Sequence, residues 1–280
     1  MGNDIQAYLE KEKVTDAKPE HLMPMLIEKG YFKKGHRDGL PLRNMLRELD
    51  LTNRLHLLPQ VRAERKEINV SWYFNRVATD FSSEILKYLE QNKLPFNRYN
   101  SWNHCYEAFG TNTDSKVLSL NLGFYLASWG MYRGSGKLLQ KDYLVHEDAV
   151  KVIKEFKDLR CSGEREVDEN DLDSIIKLIS EIKKCYSFNL GVQASNTLIS
   201  KVILGTLGCL PAFDRYFCLG VKQEELAFRS LTKKSLENLF LYNEKIKKEF
   251  PKIRSQHAEI YYPNMKLIDM KFWQIGFEKD

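Results

Sequence analysis

Residues 195–218, SNTLISKVILGTLGCLPAFDRYFC, decide how the chain is read. Ser195 can accept a hydrogen bond from an orphan amide of a first helical turn, and the residues through Leu207 predict an almost uncharged helix. Leu198, Val202, Ile203 and Leu207 fall at helical spacing. The other faces are apolar or small as well, so the spacing predicts a central, buried helix. Lys201 carries its only charge. Gly208-Cys209-Leu210-Pro211 then breaks the helix, and the chain delivers Asp214 beside Arg215, among Phe213, Tyr216 and Phe217. A lysine on a buried helix, followed by an acid just past a proline break, is a costly arrangement. One reading of it is structural, a core helix with a solvated lysine and an aspartate that caps the next helix.

The 280 residues exceed one average domain without filling two, which predicts one large domain and one small one. Apolar content of 43% is enough for a sizeable core, and 29% charge gives a polar surface. A net charge of +5 permits a polyanionic partner without requiring one. The five cysteines include no CxxC pair, and Met1 to Val14 is charged rather than apolar, so reduced thiols in a cytoplasm are expected. Val202 to Phe213, the longest apolar run, is interrupted by glycines and too short to span a bilayer.

Residues 1–76 predict a small basic module. Residues 1–18 suggest a short, loosely held helix; His21 to Tyr31 is amphipathic and closes at Gly30. After a turn over residues 33–39, Pro41 suits the first position of a second helix through Leu49. Gln60 to Arg65 alternates, residues 66–69 read as a turn, and Val70 to Phe74 returns as a strand. Two helices and a basic hairpin make a winged-helix-like head. From Lys18 to Arg76 there are 12 Lys and Arg against 7 Asp and Glu, a surplus equal to that of the whole chain. Arg43 and Arg47 on the second helix, with Arg62, Arg65 and Lys66 on the hairpin, can contact phosphates. A solvated basic face on a protein-docking domain fits the same pattern.

Residues 77–280 predict helices almost throughout. A cap at Thr79 or Asp80 opens one through Asn92, and others follow over Trp102–Phe109, Ser115–Met131, His146–Leu159, Glu169–Tyr186, Lys233–Phe250 (stopped by Pro251) and Lys266–Ile275 (ended by Gly276). Trp129 and Tyr132 offer flat surfaces, and Arg133-Gly-Ser-Gly136 can hold a phosphate; together they suit an extruded base, or else a helix end packed into the core. Trp102 and His104 form a smaller candidate, His104 able to donate to a phosphate or base edge. Metal sites are not expected, since the histidines are scattered and neither HExxH nor a zinc-spaced cysteine pair occurs. Nor do GxSxG, GxGxxG or a phosphate-binding P-loop. No cofactor is called for.

Leu210-Pro-Ala-Phe-Asp-Arg-Tyr-Phe217 resembles the segment that carries the catalytic aspartate in the helix-hairpin-helix, 8-oxoguanine-type DNA glycosylase superfamily. There a proline lies two residues before the acid; in this chain Pro211 lies three before Asp214. Leu190-Gly-Val-Gln-Ala194 stands where those enzymes carry a Gly-rich hairpin and departs from it, and Lys201 lies closer to Asp214 than their lysine nucleophile does to its acid. The resemblance implies a mainly α fold with a helical glycosylase-like domain behind the winged-helix-like head. It also implies hydrolysis of the N-glycosidic bond of a flipped, damaged or modified base in duplex DNA. Asp214 would be the catalytic carboxylate and Lys201 the nucleophile of a bifunctional enzyme. Trp129, Tyr132, Arg133, Trp102, His104 and Tyr216 would contact the substrate, and Arg215 would grip a phosphate. A stand-alone enzyme of this kind suits excision of a modified phage base. Two alternatives stay open: a non-catalytic DNA-binding protein, and a protein-interaction module of a bacterial defence system.

Overall fold

The computed structural model describes residues 1–34, 37, 39–58, 60–67, 69–75, 81–111, 113–133, 137–255 and 260–279, the side chains of residues 56 and 81 apart. The chain is mainly helical and divides into two compact units, Met1–Asp80 and Phe81–Asp280.

In the first unit three helices, α1 (Gly2–Glu12), α2 (Pro19–Glu28) and α3 (Leu40–Leu51), precede an antiparallel hairpin of β1 (Val61–Arg65) and β2 (Val70–Phe74). Val61 faces Phe74 and Arg65 faces Val70, in the hairpin expected over residues 60–74. α1 is held more firmly than its polar composition suggests. Ile5 and Leu9, one turn apart, are fully buried with Leu22, Leu26, Leu42, Leu46 and Phe74, and the Met1 amino group donates to the Tyr31 hydroxyl. The predicted turn over residues 33–39, that over 66–69 and the Thr79 or Asp80 cap fall partly or wholly outside the described residues.

The second unit holds α4 (Phe81–Asn92), α5 (Asn100–Thr111), α6 (Ser115–Ser128), α7 (Glu147–Glu155), α8 (Leu172–Leu190), α9 (Asn196–Thr206), α10 (Arg215–Gln223), α11 (Lys233–Ile246), α12 (Phe250–Ser255) and α13 (Asn264–Phe277). Ser195 caps α9 by accepting from the Leu198 amide, and every residue of that helix from Leu198 to Thr206 is buried. α8 runs four residues beyond the predicted Tyr186 and ends at Gly191, whose φ of 63° no β-carbon opposes. Pro251 does not end the helical stretch but lies in the first turn of α12, where a missing N–H leaves no bond unmade.

α13 is the second central helix, buried from Asn264 to Gln274 and packed on α10 and α4. Gly276 is not its end. A β-carbon there would collide with the Tyr216 carbonyl, and one at Gly220 with the Phe272 carbonyl. Two glycines, one on each helix, therefore let the backbones of α10 and α13 touch. That contact fixes the start of α10, where Asp214 sits. Among the described residues no helix is long and apolar enough to cross a membrane.

Candidate functional site

The break after α9 brings its lysine and the following acid together. Lys201 Nζ donates to Asp214 Oδ2 at 2.7 Å, with side chains 5% and 12% exposed. The other carboxylate oxygen, Oδ1, accepts from the Phe217 amide at 3.0 Å, so Asp214 is also the N-cap of α10. Two further bonds hold the intervening loop against α9 and α13. Ser200 Oγ accepts from the Phe213 amide, and Asp269 Oδ1 from the Ala212 amide at 2.9 Å. Asp214 thus stands at the rim of the core, neither sealed nor free.

Behind the pair lies a second one. Lys266 donates from Nζ to Asp269 Oδ2 at 3.0 Å and to the Tyr88 hydroxyl, all three groups buried. Burial pushes the Asp269 carboxyl above its ordinary range and the Lys266 ammonium below its own, while their mutual attraction opposes both shifts. The charges of Lys201 and Asp214 act on this second pair too, so the four side chains form one electrostatic network. A third buried lysine, Lys271, reaches Glu224 at 3.0 Å. Buried ion pairs contribute little net stability, yet losing one partner leaves a charge stranded, at a cost of about 3–5 kcal/mol.

Aromatic rings flank the Lys201–Asp214 pair. Lys201 Nζ lies 5.1 Å from the centre of the Trp129 ring, and the Arg98 guanidinium 5.1 Å from it. Trp273 meets Tyr88, Tyr99, Trp129 and Tyr216 edge-on at 5.4–5.7 Å between ring centres and stacks on Phe277 at 4.9 Å. Trp129 Nε1 is buried without an acceptor, which an indole N–H ordinarily finds. Trp129 and Tyr216 remain partly exposed.

Of the residues singled out from sequence, the structure joins Lys201, Asp214, Trp129 and, through Trp273, Tyr216. Trp102 belongs elsewhere, and its candidacy is corrected. Its ring is buried, stacked on Tyr106 at 4.5 Å, and its N–H donates to the Leu204 carbonyl at 2.9 Å, so no face is left for a base. His104 points to solvent from α5. Tyr132 is not brought to the pair: its ring is partly exposed, and its hydroxyl bonds Nε2 of the buried His146 at 2.8 Å, while Tyr186 bonds Nδ1 at 2.7 Å. Arg133 is exposed, and Gly134–Gly136, the expected phosphate loop, lies outside the described residues.

In the first unit the basic set is largely matched by acids. Arg62 pairs with Asp16 at 2.8 Å, Arg65 forks onto Asp50 at 2.7 and 2.9 Å, and Arg43 and Lys66 each lie 3.9 Å from Glu20 and Glu64; Arg47 donates to Asn44. A phosphate contact there has to displace a carboxylate, although exposed pairs contribute only about 0–1 kcal/mol each.

Arg98, Tyr99, Tyr88, Lys266 and Asp269 are not among the site residues that the sequence points to. The last two carry a faint signal, opposite charges three apart on an apolar helix. The first three carry none, since only the fold sets them beside Trp129. Among the described residues no group of three metal-ligating side chains occurs. No family model, no curated protein and no solved structure matches this chain.

Proposed function

We propose that the chain is a DNA glycosylase-like enzyme that hydrolyses the N-glycosidic bond of a base extruded from duplex DNA, with Asp214 as its catalytic carboxylate. One observation carries the reading. A carboxylate that caps a helix and a lysine from the preceding helix meet at 2.7 Å beside a partly exposed tryptophan. A stability role alone leaves such a pair hard to explain, because apolar residues of the same volume serve a core at least as well.

On this reading the extruded base meets the partly exposed edge of Trp129, and Arg98 faces the negative rim of the base. As the C1′–N bond breaks, its electron pair leaves with the base, which takes a proton from solvent, and positive charge grows on the sugar. The Asp214 carboxylate opposes that charge and accepts the proton of the water whose oxygen bonds to C1′. The Lys201 ammonium holds the carboxylate in place. In a bifunctional enzyme Lys201, after passing its proton to Asp214, attacks C1′ itself, and strand cleavage follows. The winged-helix-like head would add affinity for the duplex, and a modified phage base is a substrate that suits such a protein.

A second reading has its own support. Both Asp214 oxygens already have partners, Lys201 and the Phe217 amide, as a purely structural cap would. The protein is then a non-catalytic DNA-binding or protein-interaction module, as in a bacterial defence system. Incubation with duplexes of normal, damaged and phage-modified bases, followed by alkali, separates the two. Alkali-labile sites from the native protein that vanish in Asp214→Asn, with DNA binding retained, support the enzyme; binding without such sites supports the module. Borohydride trapping of protein on DNA, lost in Lys201→Gln, identifies the lysine as nucleophile.

A further inference from the structure

A second basic surface lies on the second unit, along α10, the helix that Asp214 caps. α10 and the start of α11 border an open cleft of about 710 Å³ whose wall includes Arg215, Lys222, Arg229, Lys234, Ser230 and Thr232. Four of these are cations, all exposed, and none of the described lining residues is acidic. Lys234 reaches Glu237 at 3.3 Å, one turn along α11 outside that wall. Clustered cations in a concave surface repel one another and focus a positive field, so the cleft favours an anion over water alone.

The helix that opens into it has a matching peculiarity. α11 begins with Lys233 and Lys234 and has no acid in its first turn, which is the wrong sign for the positive end of a helix. Thr232 stands at its N-cap but makes no side-chain bond to the first-turn amides; its hydroxyl lies 3.1 Å from Ser230 Oγ. Hydroxyl, ammonium and guanidinium groups that line one cavity are the donor set a phosphate group takes. Arg215, in the same wall, directly follows Asp214.

We propose that this cleft binds a phosphoryl group, supplied either by a nucleic-acid strand or by a free nucleotide or inorganic phosphate. The proposal stands on the cleft and does not require base excision. Its test uses the full chain and two ligands, inorganic phosphate followed by calorimetry and a fluorescent single-stranded oligonucleotide followed by anisotropy across salt concentrations. The double variant Lys222→Gln, Arg229→Gln removes two exposed charges, and Lys248→Gln, Lys252→Gln, also exposed, is the control; circular dichroism checks the fold of each.

The expected result is that the first double variant binds phosphate at least about tenfold more weakly than the native chain and the control. The slope of log affinity against log salt for the oligonucleotide then becomes shallower by roughly 1.4, about 0.7 for each phosphate that a removed cation had neutralised. Weakening confined to phosphate assigns the cleft to a free ligand, and weakening confined to the oligonucleotide assigns it to a strand; both uphold a phosphoryl site. Native and variant chains that bind both ligands equally, or neither at all, overturn it. Absence of any abasic product while phosphate binding depends on Lys222 and Arg229 removes the glycosylase reading and leaves this one standing.

Discussion

At the scale of single residues, the chain places titratable groups in its core or at the rim and supplies them with polar partners. Asp214 is the sharpest case. Asp214→Asn keeps the cap on Phe217 but weakens the bond to Lys201, and on the proposed enzyme reading base release should fall by at least about a hundredfold, the range typical of a missing acid–base group, while DNA affinity stays within about threefold. Gel assays of abasic product and of binding check both halves. Lys201→Met tests the same pair from the other side: it strands a carboxylate at the rim, and unfolding in urea should show a loss of about 3 kcal/mol. His146 gives a pH signature of its own. Burial lowers its pKa from 6.5 to about 4, so it is neutral in the folded chain while the unfolded chain takes up a proton below pH 6.5. Stability is therefore lost as pH falls from 6.5 to 4, by roughly 3 kcal/mol from this group. Urea unfolding at several pH values should show that slope, and His146→Gln should flatten it even though its two tyrosine bonds are disturbed.

At the scale of elements, the position of Asp214 depends on two contacts that local sequence does not reveal. α10 and α13 touch through Gly220 and Gly276, and the Ala212 amide is held by Asp269 on α13. Alanine at Gly220 must push the helices apart against the Phe272 backbone, a change expected to cost about 1–3 kcal/mol or more. Thermal unfolding should shift down by several degrees, and base release should fall further than stability alone explains because the cap residue moves with its helix. Ser195→Ala, which removes the α9 cap, should cost about 1 kcal/mol with little effect on the site. The helices themselves are legible from spacing and caps. Residues 195–207 announce α9, and Val70 to Phe74 announce β2. Ends are less so: α8 overruns its predicted stop because Leu190, one turn beyond Tyr186, continues the same buried stripe, and Gly276 reads as a terminus in sequence when it serves a close approach.

At the scale of the whole molecule, the cores of Met1–Asp80 and Phe81–Asp280 are separate clusters of buried side chains. A chain beginning at Phe81 should accordingly fold on its own, with cooperative unfolding by circular dichroism and an intact response to Asp214→Asn; a molten product would show that the second core needs the first. The sequence by itself determined the mainly helical class, the hairpin near the start, and the prominence of Lys201 and Asp214, because caps, apolar periodicity and charges inside apolar runs are local properties. Only the tertiary structure decided that this lysine and this acid meet, that Trp129 stands beside them, and that Arg43, Arg62, Arg65 and Lys66 are matched by acids. Those outcomes depend on which helices share a face, and helices distant along the chain come together through backbone contacts and buried charge pairs that no short stretch contains.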